Sequence, residues 1–255
     1  MTGAARKAAR GLVRDFGEVE QLQVSMKGPS DFVSSADTRC EKVLRQELKK
    51  ARPDFGFLLE EGGEIAGADK SHRWVIDPLD GTTNFLHSIP YVSVSIGLER
   101  DGEIIAGVIY EPLLDEMFAS ERGGGTFVND RRLRVSARRK LEDAVIATGI
   151  PHRGRGDHAR YLKQLSVVMG ACAGVRRFGS AALDLAYVAA GRCDGFWEEG
   201  LKPWDIAAGL LMVREAGGYV SETGGGHNML QSGDVLAAND HLHLPLGTLI
   251  RNAVG

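Results

Sequence analysis

Cysteine is scarce. Cys40, Cys172 and Cys193 are three in 255 residues, none at CxxC spacing, which argues against a disulfide framework or a thiolate zinc site. A reducing cytoplasm is the expected setting. No apolar run is long enough to span a bilayer, and the opening MTGAARKAARGLVRDF carries basic side chains without the continuous apolar core of a signal peptide. Secretion and membrane insertion are not expected. Neither sign of charge dominates: with a formal net charge of −3, nothing attracts nucleic acid or an anionic membrane in bulk, and a polyanion would need a local site. Also missing are a GxSxG nucleophile elbow, an HExxH zinc helix and a Walker lysine after the glycines of ERGGGTFVNDRRL. That last stretch reads as a hairpin turn, and the seven histidines read as surface or structural.

What is present is an ordinary globular composition, 43% hydrophobic and 25% charged, enough for one sizeable core or two subdomains sharing an interface. Residues 38–50, TRCEKVLRQELKK, put Val43, Leu44 and Leu48 at helical spacing, and Pro53 ends the pattern. FGFLLEEGGE and HRWVIDPLDG are apolar, strand-like runs that stop at Glu60–Glu61 and at Asp77. Each delivers a carboxylate at its end. YVSVSIGLE alternates Val92, Val94, Ile96 and Leu98 with small or polar residues, and RDGE turns it into IIAGVIY as a hairpin. Past residue 140 helices and strands alternate. SAALDLAYVAAG has Ser180 as N-cap and Gly191 at its end, and DIAAGLLMVREAGGYV starts a helix at Asp205, suited to N-capping, and closes it at Gly217–Gly218. No repeat, low-complexity tract or linker divides the chain, so 1–255 reads as a single unit of interdependent halves, about 1–140 and about 141–255. Layers of helices stacked on sheets follow from this order.

The segment WVIDPLDGTTNF concentrates chemistry. Asp77 and Asp80, separated by Pro78 and Leu79, converge if the chain turns there, and Gly81 permits the turn. Two ionised carboxylates at one point repel, and a bound cation removes the repulsion. Carboxylate oxygens suit Mg²⁺, which also keeps waters and substrate phosphate oxygens. Gly81, Thr82 and Thr83 would then offer amides and hydroxyls to an anion at a helix start. Taken singly, each feature has a plainer reading: a solvated turn for Asp77–Gly81, an acidic loop for Glu60–Glu61, an N-cap for Asp205.

Jointly, the order Glu60–Glu61, WVIDPLDGTTNF and KPWDIAAGLLMVREAGG resembles the inositol monophosphatase family over nearly the whole chain, and LDLAYVAAGRCDGFWEEGLKPWDIAAG resembles its bacterial branch. The resemblance implies an α/β fold, a five-layered α-β-α-β-α sandwich with the site between the halves, the metals on the first. It implies that Glu60, Asp77 and the Leu79 carbonyl bind one Mg²⁺, that Asp77, Asp80 and Asp205 bind a second, and that a third, weaker ion lies near Glu60. Gly81 and Thr82 would hold the phosphate, with Asp80 and Asp205 also facing the substrate. Thr82 would orient the attacking water, backed by either Asp37 or Glu60. Glu198 and Ala181 would contact the polyol; a surface glutamate beside Glu199 is the plainer reading of Glu198. Lys27 would sit on a mobile flap. Leu59 departs from the family, standing where many relatives have glycine, which puts the local loop geometry in question.

The expected activity is Mg²⁺-dependent, lithium-sensitive hydrolysis of inositol 1-phosphate or a similar phosphate monoester, by a cytoplasmic homodimer. Thr83, Asn84 and Phe85 stand where relatives acting on 3'-phosphoadenosine 5'-phosphate carry lysine and a glutamate, which disfavours that branch. Histidinol phosphate, fructose 1,6-bisphosphate and NADP remain alternative substrates. A different class stays open too: a binding factor in transcription or ribosome biogenesis, for which the basic stretch NDRRLRVSARRK could supply a partner or nucleic-acid surface.

Overall fold

The computed structural model describes residues 1–16, 35–152, 154 and 156–254 in full, and the backbone of 24–28 and 31–34. The chain begins with α1 (Thr2–Phe16), the hairpin of β1 (Val24–Gly28) and β2 (Asp31–Ser34), and α2 (Ser35–Ala51). As its spacing predicts, α2 buries Leu44 and Leu48, half-buries Val43 and stops just short of Pro53. Lys27 falls on β1, whose side chains lie outside the described residues.

Then follow β3 (Gly56–Leu59), β4 (Gly63–Ile65), β5 (His72–Asp80), α3 (Thr82–Leu86), β6 (Ser93–Arg100), β7 (Glu103–Glu111), β8 (Glu116–Glu121), β9 (Gly125–Val128) and β10 (Arg131–Arg132). The strands from β3 on form one eight-stranded sheet in the order β10-β9-β8-β7-β6-β5-β3-β4. The expected β6–β7 hairpin turns at Asp101 and Gly102, both with positive φ (52° and 84°), the backbone that a two-residue turn between twisted strands requires.

The remainder builds β11 (Val145–Thr148), α4 (His158–Ala171), β12 (Gly174–Arg176), α5 (Ala181–Ala189), β13 (Gly195–Glu198), α6 (Pro203–Glu215), β14 (Tyr219–Ser221), α7 (Met229–Ser232), β15 (Val235–Ala238) and α8 (His243–Val254). Its five strands make a second sheet, β12-β11-β13-β15-β14. The glycines of ERGGGTFV form the β8–β9 turn, as expected. Gly123 and Gly125 donate their amides at 2.9 and 3.0 Å to the Glu215 carboxylate at the end of α6, so the anion this turn holds is the protein's own.

The layers stack as the resemblance implies. α1 and α2 cover one face of the large sheet, α5 and α6 fill the space between the sheets, and α4 and α8 cover the outer face of the small one. Each interface is apolar: Leu12, Leu44 and Leu48 meet Trp74, Ile76 and Ile96; Leu183, Leu185 and Met212 lie with Ile109, Phe118 and Phe196; Tyr161, Val168 and Leu246 meet Ile146, Trp197 and Leu236. Among the described residues, no helix is long and apolar enough to cross a membrane. In the basic stretch, Arg138 pairs with Asp194 at 3.1 Å, Lys140 with Glu142 at 2.9 Å, and Arg132 lies over the Phe127 ring. Part of its charge is therefore engaged within the chain.

Helix α6 rests unusually close to the large sheet. A Cβ on Gly107 would stand 3.0 Å from the Ala208 Cα, and one on Gly97 3.0 Å from the Ala207 Cβ. Glycine on the strands and alanine on the helix thus set the height at which the start of α6, with Asp205, meets the sheet. Gly107→Val is expected to lower the free energy of unfolding by about 1–3 kcal/mol, the usual range for overpacking, read as a lower midpoint in urea denaturation. An unchanged midpoint would mean that this contact yields without strain.

Candidate active site

Strand β5 runs on past Asp77 to Asp80, further than the apolar run predicts. Its pairing with β6 slips there: Asp77 faces Ser95 and Asp80 faces Ser93, so three steps on β5 match two on β6. In a regular strand, residues three apart point to opposite faces. The extra residue cancels that alternation and turns both aspartates toward the same cavity. Pro78, which has no amide to give the ladder, sits where the ladder is broken, and Leu79 donates its amide to Asp77 Oδ1 at 2.9 Å.

Glu60 reaches the cavity from the end of the neighbouring strand β3, its amide donating to the Ile76 carbonyl at 3.2 Å. Buried Glu41 on α2 holds the turn that follows, accepting the Glu61 amide at 2.9 Å. Leu59 is buried, and Gly62 makes room for it: a Cβ on Gly62 would stand 2.9 Å from Leu59 Cδ1. The departure from glycine at position 59 is thus accommodated within the loop. Asp37, fully buried on the first turn of α2, lies 3.2 Å from Thr82 Oγ1, and the Leu79 carbonyl lies 3.1 Å from the same hydroxyl. Of the two carboxylates proposed behind Thr82, Asp37 is the one seen in hydrogen-bond contact.

The second half of the chain closes the site. Asp80 Oδ2 accepts the Ser180 hydroxyl at 2.6 Å and the Ala182 amide at 2.8 Å, so an aspartate from β5 caps the N-terminus of α5, where negative charge is favoured. Ser180 is the N-cap of that helix, as expected. Ala181, its first residue, lines the cavity. Asp205 sits inside α6 rather than at its N-cap: Lys202 is the N-cap, and Asp205 Oδ2 accepts the Lys202 amide at 2.8 Å. The capping reading of Asp205 is therefore right in kind and displaced in position. Asn84 ties the halves together, donating to the carbonyls of Tyr91 and Phe178, both at 2.8 Å. Gly81 has φ +96°, and a Cβ there would stand 3.0 Å from the Tyr91 carbonyl and 3.3 Å from that of Gly179, so only glycine fits this junction.

Glu198 ends β13. In that strand Phe196 packs toward α5 and α6 while Trp197 packs toward α4 and α8. Alternation then returns Glu198 to the inner side, where it lines the cavity. Its carboxyl lies flat against the backbone of Gly149: a Cβ on Gly149 would come within 1.9 Å of Glu198 Cδ. Gly149 is a site residue that motif reading misses, because a lone glycine after a strand carries no signal. Glu199 also lines the cavity, bound by Arg160, Gln164 and Thr223.

The resulting cavity, about 510 Å³, brings together Glu60, Asp77, Leu79, Asp80, Gly81, Thr82, Ala181, Glu198 and Asp205. Asp37 stands behind Thr82. Also on its wall is Asp184, 1% exposed and accepting the Tyr91 hydroxyl at 2.9 Å, which sequence reading passes over as part of an apolar helix. Burial raises the Asp77 carboxyl well above its ordinary value, and the charges of Glu60, Asp80 and Asp205 raise it further. Asp80 is pushed up to about 7, by burial first and then by Asp205, against the pull of Ser180 and Ala182. Among the described residues, no three His, Cys, Asp or Glu are drawn into a compact metal cage; the carboxylates share a wall, with Asp80 and Asp205 each holding a backbone amide. The donor set is carboxylate and carbonyl oxygen, which fits hard Mg²⁺ or Mn²⁺ and not a thiolate-preferring ion.

A family model described as the inositol monophosphatase family matches residues 1–253. The chain belongs to the inositol monophosphatase family. Membership places it among metal-dependent phosphatases. An inositol-1-monophosphatase of Mesorhizobium japonicum is 62% identical over 240 residues, 94% of this chain and 90% of that protein. The Nus factor SuhB of Escherichia coli is 44% identical over 236 residues, covering 92% and 88%. The crystal structure of extragenic suppressor protein suhB from Bartonella henselae superposes with a TM-score of 0.96 at 59% identity, covering 98% of this chain and 96% of that one.

Raised carboxyl pKa values have a stability consequence. In metal-free protein, Asp80 contributes stability that is complete below its ordinary value of 3.8 and is lost as pH rises through about 7; Asp77 acts in the same direction. A cation in the cavity reverses the loss. Mg²⁺ is expected to raise the Tm of EDTA-treated protein more at about pH 8 than at about pH 5.5. A Tm indifferent to Mg²⁺ at both values would contradict this electrostatic picture.

Proposed function

We propose that this family member is a Mg²⁺-dependent phosphomonoesterase that hydrolyses inositol 1-phosphate or a similar polyol monophosphate. The observation that carries the substrate choice is Glu198, a carboxylate held against Gly149 on the wall of the cavity that Asp77, Asp80 and Asp205 also line. A polyol needs such acceptors for its hydroxyls, and a site built to satisfy them discriminates strongly against leaving groups that lack them. The whole-length likeness to a protein named inositol-1-monophosphatase supports the same choice.

In this reading Glu60, Asp77 and the Leu79 carbonyl hold one Mg²⁺, Asp77, Asp80 and Asp205 hold a second, and a third, weaker one lies near Glu60. Bound there, the ions would activate water and offset charge on the phosphate and the departing oxygen. The residues do the rest. Amides of Gly81 and Thr82 at the start of α3 bind the phosphate, with Asp80 and Asp205 facing it. The Thr82 hydroxyl orients the attacking water, and the 3.2 Å contact supports Asp37 as the group that receives its proton. Water oxygen bonds to phosphorus as the ester bond breaks on the opposite side. The alkoxide takes a proton from solvent, leaving alcohol and phosphate, while Glu198 and Ala181 keep the ring in line. The halves act as one catalytic unit, since Asp80 is held by Ser180. A homodimer and a cytoplasmic setting accompany the reading through family likeness alone.

The test is phosphate release from inositol 1-phosphate, histidinol phosphate, fructose 1,6-bisphosphate and NADP, with Mg²⁺, with EDTA, and with Mg²⁺ plus Li⁺. Highest kcat/KM is expected for inositol 1-phosphate, abolished by EDTA and inhibited by Li⁺. A preference of about tenfold for another ester, some 1.4 kcal/mol in transition-state binding, would replace the substrate and leave the metal chemistry standing. Asp77→Asn should lower kcat on the order of a hundredfold or more at saturating Mg²⁺; unchanged turnover would remove the two-metal mechanism.

A further inference from the structure

Glu198 and Glu199, at the end of β13, both line the cavity. Glu198 lies against Gly149, and Glu199 is held from α4 and from the segment after β14: Arg160 Nε reaches Oε2 at 2.9 Å, Gln164 Nε2 reaches Oε1 at 2.9 Å and Thr223 Oγ1 reaches Oε1 at 2.8 Å. Arg160 Nη2 adds a contact to Oε1 at 3.2 Å, completing a forked pair. Burial alone would raise this carboxyl, yet Arg160, Gln164 and Thr223 together hold it below the ordinary range. The segment after it is pinned as well. The Gly200 amide donates to Asp234 Oδ1 at 3.1 Å, the Leu201 amide to the Gly233 carbonyl at 2.9 Å and the Lys202 amide to Asp205 at 2.8 Å. Gly233 has φ +76°, and a Cβ there would fall 2.1 Å from the Leu201 carbonyl, so the approach of the two segments depends on glycine.

We infer that Glu199, clamped by Arg160, Gln164 and Thr223, is a positioning residue that holds Glu198 against Gly149 and so sets the specificity of the leaving-group end of the cavity. Arg160 itself is not on the cavity wall, so it reaches the substrate only through this chain of contacts. A strand end is otherwise a place where the backbone frays, and a shift of Glu198 by even a fraction of an ångström costs hydrogen bonds to a polyol. The clamp suppresses that shift by joining β13, α4 and the segment after β14.

This inference rests on the polyol-phosphatase reading, and phenyl phosphate separates the two because its leaving group offers no hydroxyl to Glu198. Steady-state kinetics of Arg160→Gln should show KM for inositol 1-phosphate raised about five- to tenfold with kcat within about twofold, and phenyl phosphate hydrolysis unchanged. Arg160→Lys should recover part of the loss, and Thr223→Val should shift KM in the same direction. In a Glu198→Gln background, Arg160→Gln should add almost nothing, because the clamp acts through Glu198. Equal losses on both esters, or full additivity with Glu198→Gln, would reduce the clamp to a stability element and overturn the inference. Wild-type protein that does not favour the polyol ester over phenyl phosphate would overturn the parent reading and this inference with it.

Discussion

Mutual repulsion among Glu60, Asp77, Asp80 and Asp205, gathered on one wall of a cavity, is the constraint around which the molecule is built. Three devices deliver the four carboxylates: a strand end for Glu60, a bulged strand for Asp77 and Asp80, the first turn of α6 for Asp205. None could be held there by its own element alone. The large sheet fixes the first three, glycine-to-alanine contacts fix the height of α6, and α5 offers its N-terminus to Asp80. Oxygen donors gathered on one wall against their own repulsion would favour a divalent cation, whose binding would stabilise the fold that assembled them.

The same arrangement draws on both halves of the chain. The carboxylate wall belongs mainly to the large sheet, whereas Ala181 and Glu198, on the same cavity, come from α5 and β13. Asp80 with Ser180, and Asn84 with the Phe178 carbonyl, join them at the site itself. The proposed in-line displacement would need metal binding and leaving-group recognition at one geometry, since attack and departure lie on opposite sides of one phosphorus.

Much of this was legible in the sequence, and the reason is locality. WVIDPLDGTTNF carries its carboxylates, its turn and its helix start within one segment, so spacing alone suggests convergence, and the five-layered fold follows once the segment is tied to its family. The less legible features are long-range. Ser180 as partner of Asp80, Gly149 as the floor beneath Glu198 and Glu41 as the brace behind Glu60 join residues far apart in the chain. Nothing in their immediate neighbours marks them. The extension of β5 past Asp77 was hidden by Pro78, which reads as a strand breaker and here occupies a bulge. Asp184, embedded in an apolar helix, reads as core although it faces the cavity. The two glutamates after Trp197 look alike in sequence and both line the cavity, and only the fold sets Glu198 against Gly149 and gives Glu199 to Arg160.

The central claim is that the carboxylate wall is a shared divalent-cation site, and anomalous diffraction from crystals soaked in Mn²⁺ tests it most directly. The account predicts a pair of strong peaks in the cavity bridged by the Asp77 carboxylate, one toward Glu60 and the Leu79 carbonyl, the other toward Asp80 and Asp205, both lost in Asp77→Asn. A cavity without Mn²⁺ at saturating concentration, or peaks ligated elsewhere, would contradict it.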